Sequence, residues 1–254
     1  MAKIAVITGG TAGIGLACAE AFLADGDTVV ISGRSAERGS KALAGLDAGA
    51  RARYIPCDVT DPAQVRELIE ETVTEYRRID VLVNNAGGVI DQGRPLSELD
   101  EDNLDRAFTL NVNSAFWACR AALRHMLPRG YGRIINMASI AGKIGIPGLI
   151  GYSTTKHALI GFTKTLAKET TTRGVTVNAV CPGITDTELV EREAKAPIEA
   201  AGFDFGQLAA RLTGDLGRII DPAEVAAIVR TLASPQCAAI SGTTINIDGG
   251  YTQF

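Results

Sequence analysis

Seven short runs rich in valine and isoleucine recur along the chain, each separated from the next by a longer stretch. The runs are Ile4 to Thr8, Thr28 to Ser32, Arg53 to Cys57, Val81 to Asn84, Arg133 to Met137, Val175 to Val180 and Thr243 to Ile247. Their apolar character is continuous rather than alternating, as a strand covered on both faces requires. The intervening stretches carry helical periodicity, over Gly13 to Ala24, Ala36 to Leu46, Pro62 to Tyr76, Asp102 to Leu127, Tyr152 to Thr171 and Pro222 to Ala233. Pro62 and Pro222 each follow an aspartate, a pairing suited to a helix cap and first turn. Strand and helix alternate from end to end, so the expected fold is α/β, a doubly wound parallel sheet with helices on both faces. The exception is Ile184 to Gly217, a polar, alanine-rich insertion without a strand, expected to form a lid.

No linker divides the 254 residues, so one domain spanning 1–254 is expected, with the lid at 184–217. A net charge of −4 without a basic cluster argues against nucleic acid as a partner. The five cysteines are scattered and never form a C-x-x-C pair, and the two histidines have no ligand set around them, so neither a disulfide framework nor a metal site is expected. No apolar stretch reaches the ~18 residues that cross a bilayer. Met1-Ala-Lys3 leads straight into the first strand, and a cytoplasmic location is expected.

Thr8-Gly-Gly-Thr-Ala-Gly-Ile-Gly15 lies where the first strand turns into the first helix. Missing side chains there let a pyrophosphate approach the backbone, and the helix start offers its N–H groups. Gly9, Thr11, Gly13, Ile14 and Gly15 are the expected cradle of a Rossmann-type fold, although such turns also occur without ligands. The second strand ends in Ser32-Gly-Arg-Ser35, where an acid would accept the ribose 2′-OH of NAD. Arg34 cannot accept that bond but can pair with a 2′-phosphate, so NADP is expected, with NAD as the alternative and a solvated surface cation as the plain reading of Arg34. Asp58, followed by Val59, is placed to accept from an adenine amino group or to serve as an ordinary turn residue. Asn84-Asn85-Ala86-Gly87 ends the fourth strand with amides that bind backbone and small residues that leave room for a cofactor. Asn111 interrupts an apolar helical pattern and needs a partner, either in the core or as a held water.

Tyr152 and Lys156 stand four residues apart, on one helix face, and Ser139 precedes them. The ammonium of Lys156 near the phenol of Tyr152 lowers its pKa, so the phenol can exchange a proton near neutral pH. Two other classes compete. Ser153-Thr-Thr-Lys156 is also an S-x-x-K string of serine acyl-enzymes, without the companion S-D-N and K-T-G strings. A non-catalytic dinucleotide-binding sensor would not need the trio.

In the order of its motifs the chain resembles the short-chain dehydrogenase/reductase family along essentially its full length. The resemblance rests on the glycine turn, Asn84 to Gly87, Asn111, the Ser139, Tyr152 and Lys156 trio, and Asn178-Ala-Val-Cys-Pro-Gly183. It implies a catalytic tetrad of Asn111, Ser139, Tyr152 and Lys156. It also implies that the loop after Pro182 and Gly183 closes on the nicotinamide, with Ile184 and Thr187 as cofactor contacts, and that the chain forms a tetramer or dimer. Gly132 to Leu166 is similar to ketoacyl and polyketide ketoreductases, which implies a carbonyl or alcohol substrate. Asp186 to Leu216, with Phe203-Asp-Phe205 and the cations Arg192, Lys195 and Arg211, has no recognisable binding string, so the reading stops at a ketone or secondary alcohol.

Overall fold

The computed structural model describes residues 2–195, 204–206, 209 and 213–253. Among them seven strands form one parallel sheet: β1 (Ile4–Ile7), β2 (Thr28–Gly33), β3 (Ala52–Pro56), β4 (Val81–Asn84), β5 (Gly132–Met137), β6 (Val175–Pro182) and β7 (Thr244–Ile247). Their order is β3-β2-β1-β4-β5-β6-β7. The chain winds outward from β1 to β3, then returns and winds the other way from β4 to β7. The carboxyl ends of β1 and β4 therefore part at the switch point, where such sheets open a crevice.

The helices are α1 (Gly13–Ala24), α2 (Ala36–Leu46), α3 (Pro62–Tyr76), α4 (Asn103–Phe108), α5 (Ser114–Arg129), α6 (Ile150–Thr170), the single turn α7 (Glu188–Val190) and α8 (Pro222–Leu232). Successive strand residues point to opposite faces, and the core divides accordingly. Ala5, Ile7, Val29 and Ile31 pack with Phe22 of α1, Ala42 of α2 and Val225 and Val229 of α8. Val6, Val30, Leu82 and Ile134 pack on the other face with Leu68 and Ile69 of α3, Met126 of α5 and Leu166 of α6. Each large side chain buried this way is worth about 1.5–3 kcal/mol of transfer free energy.

Two differences from the expected elements have physical causes. The helix read as continuous from Asp102 to Leu127 is broken by a π-turn over Thr109–Asn113 between α4 and α5. The last strand before the insertion runs on to Pro182, because Cys181 and Pro182 still pair with Asn246 and Ile247 of β7. The insertion is anchored by a parallel bridge between Thr185 and Ile220. Phe203 and Arg211 lie outside the described residues.

Candidate active site

The glycine turn after β1 is pinned to the end of β4 by side chains. Thr8 Oγ1 accepts from Asn85 N at 3.0 Å and Ala86 N at 3.1 Å, while Asn85 Nδ2 donates to the carbonyls of Thr8 and Gly9, both at 3.0 Å. Gly9 and Gly13 have φ of +65° and +52°, which L side chains rarely adopt. A Cβ on Gly15 would stand 2.5 Å from Asn85 Nδ2 and run into the Gly9 carbonyl, so packing alone demands glycine there.

α1 then begins without a cap. Its N-cap residue, Ala12, is extended (φ −160°, ψ 168°) and offers no side-chain bond, and no acid lies in the first turn. The first intrahelical bond runs from Leu16 N to Ala12 O at 3.2 Å, so the N–H groups of Gly13, Ile14 and Gly15 have no side-chain acceptor among the described residues. Positive potential and unpaired donors together suit a phosphate. The crevice in front of them has a volume of about 230 Å³ and is walled by backbone at Gly9, Gly13, Gly87, Gly88 and Gly183.

Ser139, Tyr152 and Lys156 line the same crevice. Ser139 follows β5 and caps the turn Ile140–Gly142, its Oγ accepting from Ala141 N at 3.1 Å. Because Oγ accepts there, its own proton is available to donate. Lys156 is 4% exposed; Nζ donates to the Met137 carbonyl at 2.7 Å and lies 5.4 Å from the centroid of the Tyr152 ring. Burial pulls the ammonium pKa down from 10.5 to about 8, with Cys181 acting weakly the other way. The π-turn swings Asn111 inward, where its Oδ1 accepts from Gly88 N and its Nδ2 donates to Gly88 O, each at 3.0 Å. The amide thus clamps both backbone groups of Gly88. A Cβ on Gly87 would sit 2.7 Å from Asn111 Oδ1 and 3.4 Å from Lys156 Nζ, so these two groups flank one glycine.

Of the remaining expected residues, Ile14, Asn85, Ala86, Pro182 and Thr187 also line the crevice. Thr11 packs its side chain over Gly33, whose Cβ would lie 3.2 Å from Thr11 Cγ2. Beyond Gly33, Arg34 is exposed and makes no ion pair with the described residues, while Ser35 caps α2 by accepting from Arg38 N at 3.2 Å. Asp58 Oδ1 accepts from Thr60 N and Oγ1 at 2.9 and 2.8 Å, which is turn chemistry, and Val59 is buried. Ile184 is not on the crevice wall; its carbonyl accepts from Ile220 N at 2.9 Å.

Gly88, Met137, Ala138, Thr185, Leu189 and Val190 are wall residues that sequence reasoning passed over, and Ala12 and Glu188 line the wall with them. The apolar pair Leu189-Val190 inside a polar insertion was the available signal. Glu188 also reaches Arg38 of α2, at 3.5 Å. The S-x-x-K geometry is not assembled: Ser153 Oγ is buried with no hydrogen-bond partner, so Lys156 does not touch it. Among the described residues no helix is long and apolar enough to cross a membrane, and no three His, Cys, Asp or Glu cluster as a metal would need.

A doubly wound parallel sheet with an uncapped glycine turn at its switch point, and a serine, tyrosine and lysine beside it, defines a dinucleotide-binding oxidoreductase. The chain belongs to the short chain dehydrogenase family, whose model matches residues 3–197. It is 36% identical to a 3beta-hydroxysteroid dehydrogenase of Mediterraneibacter gnavus, over 99% of this chain and 95% of the relative. It is 38% identical to a 3-oxoacyl-[acyl-carrier-protein] reductase of Synechocystis sp., over 100% of this chain and 98% of the relative. Among solved structures, a variant of actinorhodin polyketide ketoreductase with NADPH superposes with a TM-score of 0.91 at 34% identity, covering 100% of this chain and 98% of that one.

Proposed function

We propose that this protein is an NADP(H)-dependent carbonyl reductase acting on a ketone of the 3-ketoacyl or cyclic type, with the secondary alcohol as product. The observation that carries the reading is the sharing of one crevice by Ser139, Tyr152 and Lys156 with the backbone-walled space in front of the open start of α1. The 3-oxoacyl and polyketide ketoreductases among its relatives support the substrate class.

The cofactor, when bound, supplies the hydride. Tyr152 gives its phenolic proton to the carbonyl oxygen, and Ser139, its Oγ already accepting from Ala141 N, donates a second hydrogen bond to that oxygen. Lys156 favours the tyrosinate left behind through its charge. Asn111 keeps the wall in place by clamping both backbone groups of Gly88. Gly13, Ile14 and Gly15 would hold the pyrophosphate by their N–H groups, Arg34 would take the 2′-phosphate, and Asp58 would serve the adenine. Thr187 and the α7 turn, which line the crevice, would hold the nicotinamide end. The protein works in the cytoplasm as one domain per chain, in a homo-oligomer that covers Leu104, Phe116 and Ile150, large apolar side chains left 43–48% exposed on α4, α5 and α6.

The test is the loss of reduced-cofactor absorbance with NADPH and with NADH against β-ketoesters, cyclic ketones and diketones. Turnover that prefers NADPH is expected, and Tyr152→Phe is expected to lose on the order of 10²–10⁴-fold in kcat while still binding NADPH. A preference for NADH would remove the role of Arg34, and undiminished turnover by the variant would remove that of Tyr152.

A further inference from the structure

We propose that Asp91 is a positioning residue for the proton donor, acting from a distance as the N-cap of α6. The helix that carries Tyr152 and Lys156 has no cap of its own. Its N-cap residue is Leu149 (φ −124°, ψ 42°), with no side-chain bond to the first turn. An N-cap side chain accepts from the second or third helical N–H. Those groups belong to Gly151 and Tyr152, and Asp91 takes both: Oδ1 accepts from Gly151 N at 3.2 Å and Oδ2 from Tyr152 N at 2.8 Å. The first bond of the helix itself, Ser153 N to Leu149 O at 2.8 Å, comes one residue later.

Three further observations make this a built arrangement. Asp91 is wholly buried, so its carboxylate lies where it favours a helix start most strongly. Gly151 leaves room for it, since a Cβ there would stand 2.6 Å from Asp91 Oδ1 and 2.9 Å from Asn103 Oδ1. The segment from Asn85 to Asp91 is already fixed at both the glycine turn and Gly88. One loop therefore sets the phosphate cradle, the Lys156 wall and the backbone of Tyr152 in a common frame.

Lys156 is held separately, through the Met137 carbonyl. Without Asp91, the first turn of α6 loosens and Tyr152 moves relative to a lysine that stays. This inference rests on Tyr152 as the proton donor, so Tyr152→Phe is run beside it.

The experiment compares wild type with Asp91→Ala, Asp91→Asn and the double variant Asp91→Ala/Leu149→Asp, which returns a carboxylate to the local cap position. The readouts are kcat in the reduction assay, the NADPH dissociation constant by fluorescence, and hydrogen exchange of the amides of residues 150–153. Asp91→Ala is expected to lose on the order of 10²-fold in kcat. Its NADPH affinity stays within about twofold, exchange at Gly151 and Tyr152 speeds up, and the double variant recovers most of the rate. Asp91→Asn keeps one acceptor and falls between, which preserves the test if the alanine variant does not fold. Unchanged exchange, an unchanged kcat, no recovery in the double variant, or a loss of kcat matched by equal loss of NADPH binding would each overturn the proposal. Active Tyr152→Phe would instead remove the proton-donor reading, whatever the exchange data give for Asp91.

Discussion

Two of the helices that border the crevice, α1 and α6, begin in opposite ways. α1 presents its first N–H groups bare, with an alanine where a cap would stand. In α6 the N–H groups of Gly151 and Tyr152 both donate to a buried carboxylate from another loop. Away from the crevice, α2, α3 and α8 use ordinary local caps, Ser35, Asp61 and Asp221. The proposed function gives each end a different task. An open end leaves about 1 kcal/mol of capping unclaimed and keeps a positive site that an incoming phosphate completes. A closed end holds the proposed proton donor still, and here the cap comes from the same loop that walls the crevice.

The largest expected effect comes from closing the open end. Ala12 already has extended backbone dihedrals suited to an N-cap, so Ala12→Asp needs no rearrangement. The new carboxylate should accept from the first turn and raise Tm by about 2–4 °C. It should also meet the phosphates with like charge at the place proposed to receive them, weakening NADPH by on the order of 100-fold, about 3 kcal/mol. A stability gain with an unchanged dissociation constant would put the phosphates elsewhere.

The same contrast explains what the sequence made legible. Strand runs, helical stretches and the glycine turn are local patterns, and their order was enough to place the sheet and the switch-point crevice. Ser139, Tyr152, Lys156 and Gly87 could be read because each lies in a string whose spacing has a chemical reason. Asp91 could not be read, because a cap normally stands next to its helix, and at that position the chain has Leu149. The π-turn at Asn111 was hidden for a related reason: one extra residue in a helical turn leaves the apolar pattern nearly intact, while it aims the amide at Gly88. The wall formed by Leu189 and Val190 depends on how the insertion folds back, which no local pattern fixes.

Next in size is an overpacked closed end. Gly151→Ala would press a methyl group against Asp91 Oδ1 and Asn103 Oδ1. A clash of that kind costs about 1–3 kcal/mol, and kcat is expected to drop roughly 10-fold with NADPH binding unaltered. Equal loss in both quantities would mean that the two helix starts are not independent.

The closed end also has a pH signature. Burial disfavours the charge of Lys156 and pulls its pKa down from the ordinary 10.5 to about 8. For a base lowered by burial, the folding penalty is present in full below pH 8 and is relieved as the pH rises toward 10.5, where the unfolded chain also loses its proton. Stability should therefore rise across that window. The rate of carbonyl reduction should fall across it, since the ammonium that tunes Tyr152 is being lost. Opposite slopes in a melting series and a kcat profile would support the assignment; a rate flat through pH 10 would show that the charge of Lys156 does not tune the phenol.

The smallest effect belongs to a helix end with no part in the crevice. Asp221 caps α8 by accepting from Ala223 N at 2.8 Å, and Glu224 returns a bond to Asp221 N at 2.9 Å. Asp221→Ala should lower Tm by about 2–4 °C through loss of about 1 kcal/mol of capping. Neither kcat nor NADPH affinity should change, because α8 packs on α1 through Val225 and Val229, at the sheet face rather than at the crevice. The loss would match in size the stability that Ala12→Asp should gain, so the pair separates two uses of one local chemistry. If Asp221→Ala also weakened NADPH, the start of α1 would be set by its packing against α8, and its openness would be a property of the whole face rather than of the glycine turn.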